Sequence, residues 1–282
     1  MKLVRFGAFG EERPGLVDGN GVVRDLGGIV ADLDGATLSP EGLERLRAID
    51  PSTLPAAPAG ARLGACVTRP GHFVAVGLNY ADHAAEAGMP LPTEPVLFSK
   101  APNCIVGPHD DIVQPKGSTK LDWEVELGIV IGSRARYVKE TDAMRHIAGF
   151  CLANDVSERG FQIERNGQWI KGKSCETFGP LGPFLVTPDE IADVQNLPLW
   201  LDVNGEPRQR GTTARMIFPV AILISYISQF MVLEPGDVVI TGTPPGVGLG
   251  MKPPRYLQPG DVVTLGIEGL GEQRQKVVAF SG

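Results

Sequence analysis

Three carboxylates stand where they could share one cation. Glu124 and Glu126 lie two apart in the run Leu121-Asp122-Trp123-Glu124-Val125-Glu126-Leu127-Gly128-Ile129-Val130-Ile131. Val125, Leu127, Ile129 and Ile131 alternate as the apolar face of a strand, so both glutamates fall on the opposite face, roughly 7 Å apart at Cα. Like charges side by side on a strand are unfavourable unless something neutralises them. The alternative is an acidic strand face left in water. Asp155 follows the apolar run Phe150-Cys151-Leu152-Ala153, which reads as a buried strand delivering a third carboxylate at its end. Oxygen-only donors favour a hard divalent ion, Mg²⁺, with Mn²⁺ or Ca²⁺ as substitutes. Zinc would recruit His or Cys, and neither lies near Glu124 or Glu126 in sequence.

A second group of residues has the types needed for proton transfer and anion binding. His83 and Glu86 are three apart in Asn79-Tyr80-Ala81-Asp82-His83-Ala84-Ala85-Glu86-Ala87-Gly88. On a helix that spacing places them on one face, where the carboxylate can orient the imidazole and raise its basicity. A His held this way is a general base for water, while the plainer alternative is an exposed surface helix. Arg159 and Gln162 follow Asp155 at helical spacing. Lys173 stands among small neighbours in Lys171-Gly172-Lys173-Ser174. Thr243 opens a Gly-rich turn whose N–H groups and hydroxyl suit an anionic oxygen, although Gly242 to Gly250 can equally be read as a flexible loop.

In this order, Asp122-Trp123-Glu124-Val125-Glu126-Leu127-Gly128, Asn154-Asp155, Gly172-Lys173-Ser174 and Thr241-Gly242-Thr243-Pro244-Pro245-Gly246-Val247-Gly248 resemble the fumarylacetoacetate hydrolase family over about residues 71 to 280. The resemblance implies a mainly β fold with some α: a rolled β-sheet catalytic domain, preceded here by a small α+β module. It implies a divalent metal, usually Mg²⁺, held by Glu124, Glu126 and Asp155. It makes His83 and Glu86 a catalytic pair on a lid, points Lys173 at the substrate to stabilise an enolate oxygen, and gives Arg159, Gln162 and Thr243 to substrate binding. Long members add an upstream carboxylate ligand, for which Asp82 and Asp122 are the candidates. The expected reaction is hydrolysis of a C–C bond in a small anionic 2,4-dioxo acid, giving pyruvate and a second acid. The C-terminal run (Met251 to Leu257 and Ile267 to Gly271) is similar to bacterial members acting on 2,4-diketo-3-deoxy sugar acids such as the rhamnonate derivative, with acylpyruvates also expected. The same site chemistry could serve oxaloacetate decarboxylation or keto–enol isomerisation of a dienedioate, and chains of this kind also carry the name ureidoglycolate lyase. A non-catalytic, metal-stabilised binding protein would have lost His83, Glu86 or Lys173, and all three are present. A homodimer is implied by the resemblance.

The elements that must position these residues follow from composition and pattern. The chain has 282 residues with 36 Gly and 24 Pro, against about 20 and 14 at average usage. Such an excess disfavours helical bundles, and 43% hydrophobic residues disfavour disorder. A net charge of −7 without a Lys/Arg cluster excludes nucleic acid and anionic membrane as expected partners. The four cysteines, at 66, 104, 151 and 175, form no C-x-x-C pair. With no signal-like N-terminus they point to reduced thiols in a cytoplasmic protein. Residues 1–70 read as the small module: strands at 2–6 and 22–26, a turn over 15–21, a helix over 41–49, and a Pro-rich linker from 51 to 71. Residues 71–282 read as the catalytic domain, with strands at 73–78, 125–131, 238–241 and 261–267. Turns at Pro235-Gly236-Asp237 and Pro259-Gly260-Asp261 launch the last two strands. A helix over 219–233 should share Ile222, Leu223, Tyr226, Ile227 and Phe230 on one face.

Overall fold

A nine-stranded sheet organises the computed structural model of the chain, which describes residues 1–86 and 90–281, the side chains of 83–85 excepted. The strands lie in the order Val23–Asp25, Arg13–Val17, Lys2–Phe6, Leu185–Val186, Ile147–Asn154, Val125–Ile131, Val238–Ile240, Phe73–Gly77, Val96–Lys100. Val125–Ile131 is near its centre and pairs antiparallel with Ile147–Asn154 on one side and Val238–Ile240 on the other. All seven of its residues are buried. Both faces, the apolar one and the one that carries the glutamates, are therefore buried, as for strands covered by a second layer. That layer is a five-stranded sheet: Glu206–Thr212, Pro198–Val203, Val262–Ile267, Gly271–Ala279 and Ile112–Gln114. The mainly β fold with some α expected from the sequence is the one observed.

Residues 1–70 contribute three strands to the main sheet. Lys2 and Leu3 pair with Val186 and Leu185, so the sheet runs unbroken from the N-terminal segment into the rest of the chain. Arg13–Val17 is a strand where a turn was expected from residue 15, because Leu16 has an apolar seat opposite Leu3. The reversal falls instead at Asp18, whose Oδ1 accepts the Asn20 and Val22 amides at 2.9 and 3.0 Å. The helix Pro40–Arg47 is as read, its Ser39 side chain accepting the Gly42 amide at 3.1 Å. Within residues 51–71, Leu63 bridges to Phe6 and Ala56 to Arg24, and the stretch 64–67 is buried.

Both Pro-Gly-Asp turns form with glycine at positive φ, +92° at Gly236 and +100° at Gly260. The aspartate in each accepts a backbone N–H across its turn, from Glu234 and from Gln258, both at 2.8 Å. The helix at 219–233 is shorter than its pattern suggested, spanning Val220–Ile227, and its buried stripe is Val220, Leu223, Ile224 and Ile227. Tyr226 and Phe230 pack against each other instead, with ring centroids 4.9 Å apart and planes tilted by 60°, and Phe230 is 65% exposed. No helix among the described residues is long and apolar enough to cross a membrane, and the four cysteines are free thiols.

Candidate active site and metal centre

The antiparallel ladder between Val125–Ile131 and Ile147–Asn154 pairs Glu126 with Ala153 and Val125 with Asn154. One step beyond it, the Asp155 amide donates to Glu124 O at 2.9 Å, and the Glu124 amide donates to Asn154 Oδ1 at 3.2 Å. Glu124, Glu126 and Asp155 are thereby gathered at one end of two central strands, all buried, with carboxylate oxygens within 4.8 Å of one another. Spacing on one strand put Glu124 and Glu126 side by side, and the strand end and the family resemblance added Asp155.

Buried cations surround the cluster. Lys173 Nζ donates to Glu124 Oε2 at 2.8 Å and Asp155 Oδ2 at 2.6 Å. Lys100, fully buried, donates to Asp155 Oδ1 at 2.6 Å and to the Lys173 carbonyl. Arg159 reaches Glu124 Oε1 at 2.6 Å and Asp122 Oδ2 at 2.8 Å, while Gln162 Oε1 accepts from the same guanidinium at 3.0 Å. Burial pulls the Lys173 and Arg159 acidities toward the neutral form, but Asp155 with Glu124, and Glu124 with Asp122, outweigh it and hold both cations above their usual range. Glu126 fares differently. Among the described residues it accepts one backbone N–H, from Gly242 at 2.7 Å. Burial, then the Asp155 and Glu124 charges, push its carboxyl well above the ordinary glutamate value. Uncompensated negative charge therefore concentrates at Glu126. The donor set is oxygen-only, and this excess charge is what a hard divalent cation would relieve, so the residues fit the metal that the sequence implied.

Neither candidate for a further carboxylate ligand joins the cluster. Asp82 is exposed. Asp122 is saturated: Oδ1 accepts the Trp123 and Gly248 amides at 2.9 and 2.7 Å, and Oδ2 accepts Arg159 Nε and the Leu249 amide at 3.0 Å. It is a hub that ties the 242–250 loop to Arg159. Thr243 is tied to the scaffold through its hydroxyl. Its hydroxyl donates to Val125 O at 2.9 Å and accepts from Gln209 Nε2 at 2.8 Å, so its proton is committed to the scaffold rather than to a ligand. The loop is anchored as well, since the Gly246 amide donates to both Glu86 oxygens at 3.0 and 3.1 Å. Glu86 closes the helix Ala81–Glu86. The side chain of His83 lies outside the described residues, as do residues 87–89 of the expected lid segment.

These groups line a cavity of about 400 Å³, within the usual range for small-molecule sites, about 300–1,000 Å³. Glu86, Glu124, Glu126, Arg159, Gln162, Lys173 and Thr243 all face it. Sequence reasoning missed Lys100, Trp169 and Gln209. A signal existed for Lys100: it shares the strand face of Phe98, a cavity residue, by the period of two. Gln209 carried none, since its role depends on the second sheet crossing the first.

A family model for the fumarylacetoacetate (FAA) hydrolase C-terminal domain matches residues 72–278. A protein of Burkholderia multivorans with a provisional hydrolase name is 59% identical over 276 residues, 98% of each chain. Among solved structures, fumarylacetoacetate hydrolase from Exiguobacterium antarcticum superposes with a TM-score of 0.88 at 39% identity, covering 99% of this chain and 100% of that one. Maleylpyruvate hydrolase from Sphingobium sp. SYK-6, in complex with manganese(II) ion and pyruvate, has a TM-score of 0.81 at 27% identity over the whole of both chains. With the acidic triad, the GTPPGVG loop and the sheet that carries them all in place, the chain belongs to the fumarylacetoacetate hydrolase family.

Proposed function

We propose that this protein hydrolyses the C3–C4 bond of a 2,4-dioxo acid, releasing pyruvate and a second carboxylic acid, with Mg²⁺ as its metal. The observation that carries the reading is a cavity that Glu124 and Glu126 share with Lys173, Arg159 and Glu86, with the buried Asp155 carboxylate within 4.8 Å of both glutamates. The solved maleylpyruvate hydrolase complex with manganese(II) and pyruvate supports it from outside the chain. A divalent ion held by the triad would supply Lewis acidity toward the substrate carboxylate and 2-oxo oxygen.

The remaining work falls to the chain's own side chains. Arg159 and Gln162 set the orientation of the substrate's carboxylate end. His83, one turn before Glu86 on the same helix, takes a proton from water while the water oxygen bonds to C4. The C3–C4 bond then breaks with its electron pair passing to the pyruvate fragment, and the oxygen charge of that enolate faces the Lys173 ammonium. The proton is returned to C3, so water is divided between the two products. A pyruvate-release assay across 2,4-dioxo acids, with and without Mg²⁺, tests this. Turnover should require the metal and be lost in Glu124→Ala and His83→Ala, the latter retaining metal binding. Turnover that survives thorough chelation, or that persists in Glu124→Ala, overturns the metal assignment. Decarboxylation as the sole activity overturns the reaction.

A further inference from the structure

The cavity is chemically divided. Its floor carries Glu124 and Glu126 with Arg159 and Lys173, and the wall beside that floor is apolar: Leu78, Phe98, Ile163, Trp169 and Leu249. Two of these are fixed in place by their surroundings. Trp169 packs against Gly77, where an added Cβ would come within 2.7 Å of its ring, so the glycine makes the slot that seats the indole. Phe98 meets that indole edge-on, with ring centroids 5.2 Å apart and planes at 64°. The Lys173 ammonium lies 5.1 Å from the Phe98 ring centroid, so the apolar wall begins where the charged floor ends.

Charge is distributed the same way. Among the described lining residues the cations are Arg159 and Lys173, and both are ion-paired to the floor carboxylates. A substrate bound with its 2-oxo acid end on the floor and its C4 substituent against Phe98 and Trp169 would set that substituent among rings. A second carboxylate there would lose its water without gaining a cation, and a hydroxylated chain would lose hydrogen bonds that the rings cannot replace. An apolar substituent gains from the same desolvation.

We propose that Trp169 and Phe98 are specificity-determining residues that select 2,4-dioxo acids whose 4-acyl group is uncharged and apolar, aliphatic or aryl, over those ending in a second carboxylate or in a hydroxylated chain. This rests on the 2,4-dioxo acid reading above, and it turns away from the sugar-acid substrates that the C-terminal resemblance implied.

The test compares kcat/KM for pyruvate release from benzoylpyruvate, acetylpyruvate, fumarylpyruvate and a 2,4-diketo-3-deoxyhexonate, using the full chain with Mg²⁺. Benzoylpyruvate should exceed the dioate and the sugar acid by at least about 30-fold. Trp169→Gln should cut the benzoylpyruvate to acetylpyruvate ratio about 10-fold, through KM, and Trp169→Phe should restore most of it. Equal or better turnover of the dioate or the sugar acid overturns the proposal, as does a ratio that Trp169→Gln leaves unchanged. Binding separates this from failure of the hydrolase reading. If no compound releases pyruvate, phenylpyruvate should still bind the Mg²⁺-loaded protein at least about 10-fold more tightly than 2-oxoglutarate by calorimetry, and lose that advantage in Trp169→Gln. Equal affinities overturn the proposal whatever the reaction.

Discussion

Glu126 is the residue at which the electrostatics of the site are least balanced. Arg159 and Lys173 serve Glu124, and Lys173 and Lys100 serve Asp155, whereas among the described residues a single amide, from Gly242, serves Glu126. Its carboxyl is raised above the usual 4.5 by burial and by its two acidic neighbours. A folded-state pKa above the unfolded one means that the folded protein binds the extra proton, so metal-free stability falls as pH rises above about 4.5. Glu126→Gln keeps the oxygen that accepts from Gly242 and removes the charge. Urea unfolding of the metal-free variant should show stability at neutral pH equal to or about 1 kcal/mol above the parent, with the gap widening from acid to neutral pH. Adding Mn²⁺ at 100 times its Kd should stabilise the parent by about 2.7 kcal/mol and the variant by little.

At the level of elements, the loop from Gly242 to Gly250 does more than connect strands. Its amides hold Glu126, Glu86 and Asp122, so one turn registers a triad carboxylate, the helix Ala81–Glu86 and the Arg159 hub against each other. Glycine is required where neighbours come close. Gly246 has φ +108° with the Arg208 carbonyl in the space a Cβ would fill, and a Cβ on Gly250 would overlap the Glu86 carboxylate. Gly250→Ala should therefore displace Glu86 while leaving the sheets untouched. Steady-state assays should show kcat reduced about 100-fold, with a thermal midpoint close to that of the parent. The glycine pattern here was plain in the sequence, yet it was equally compatible with a flexible loop. Its anchoring rests on Asp122 and Glu86, 126 and 160 residues away along the chain from the glycines they hold.

Across the whole molecule, the second sheet braces the site with buried glutamines. Gln209 accepts the Val125 amide at 3.0 Å and donates to Thr243 Oγ1 and Pro244 O at 2.8 and 2.7 Å. Gln275 accepts from Asn154 Nδ2 at 3.1 Å, and Asn154 in turn holds the Glu124 amide. Gln209→Ala leaves Val125 N–H and Pro244 C=O without this partner. It should lower unfolding free energy by about 1–3 kcal/mol in urea titrations and weaken Mn²⁺ binding in parallel. The N-terminal segment is part of the same frame. A chain beginning at residue 71 uncovers the Leu185–Val186 edge and the seats of Leu3 and Val4. By size-exclusion chromatography it should aggregate rather than elute as a folded species.

Local pattern alone determined a good part of this protein. Alternation placed the Val125–Ile131 strand and set Glu124 and Glu126 two residues apart, an apolar run placed Asp155 at a strand end, and Pro-Gly-Asp repeats marked two turns, because side-chain period and turn chemistry are local properties. Tertiary structure decided the rest. It buried the second face of the central strand, which alternation had left open between a shared cation and water, and it shortened the helix to 220–227, turning Phe230 outward. It spent the Thr243 hydroxyl and both Asp122 oxygens on the scaffold, and brought Lys100 and Gln209 to the site. Each of these depends on which distant donor or apolar surface arrives opposite a group, and hydrogen-bond saturation and desolvation are set by that arrival rather than by neighbours in sequence.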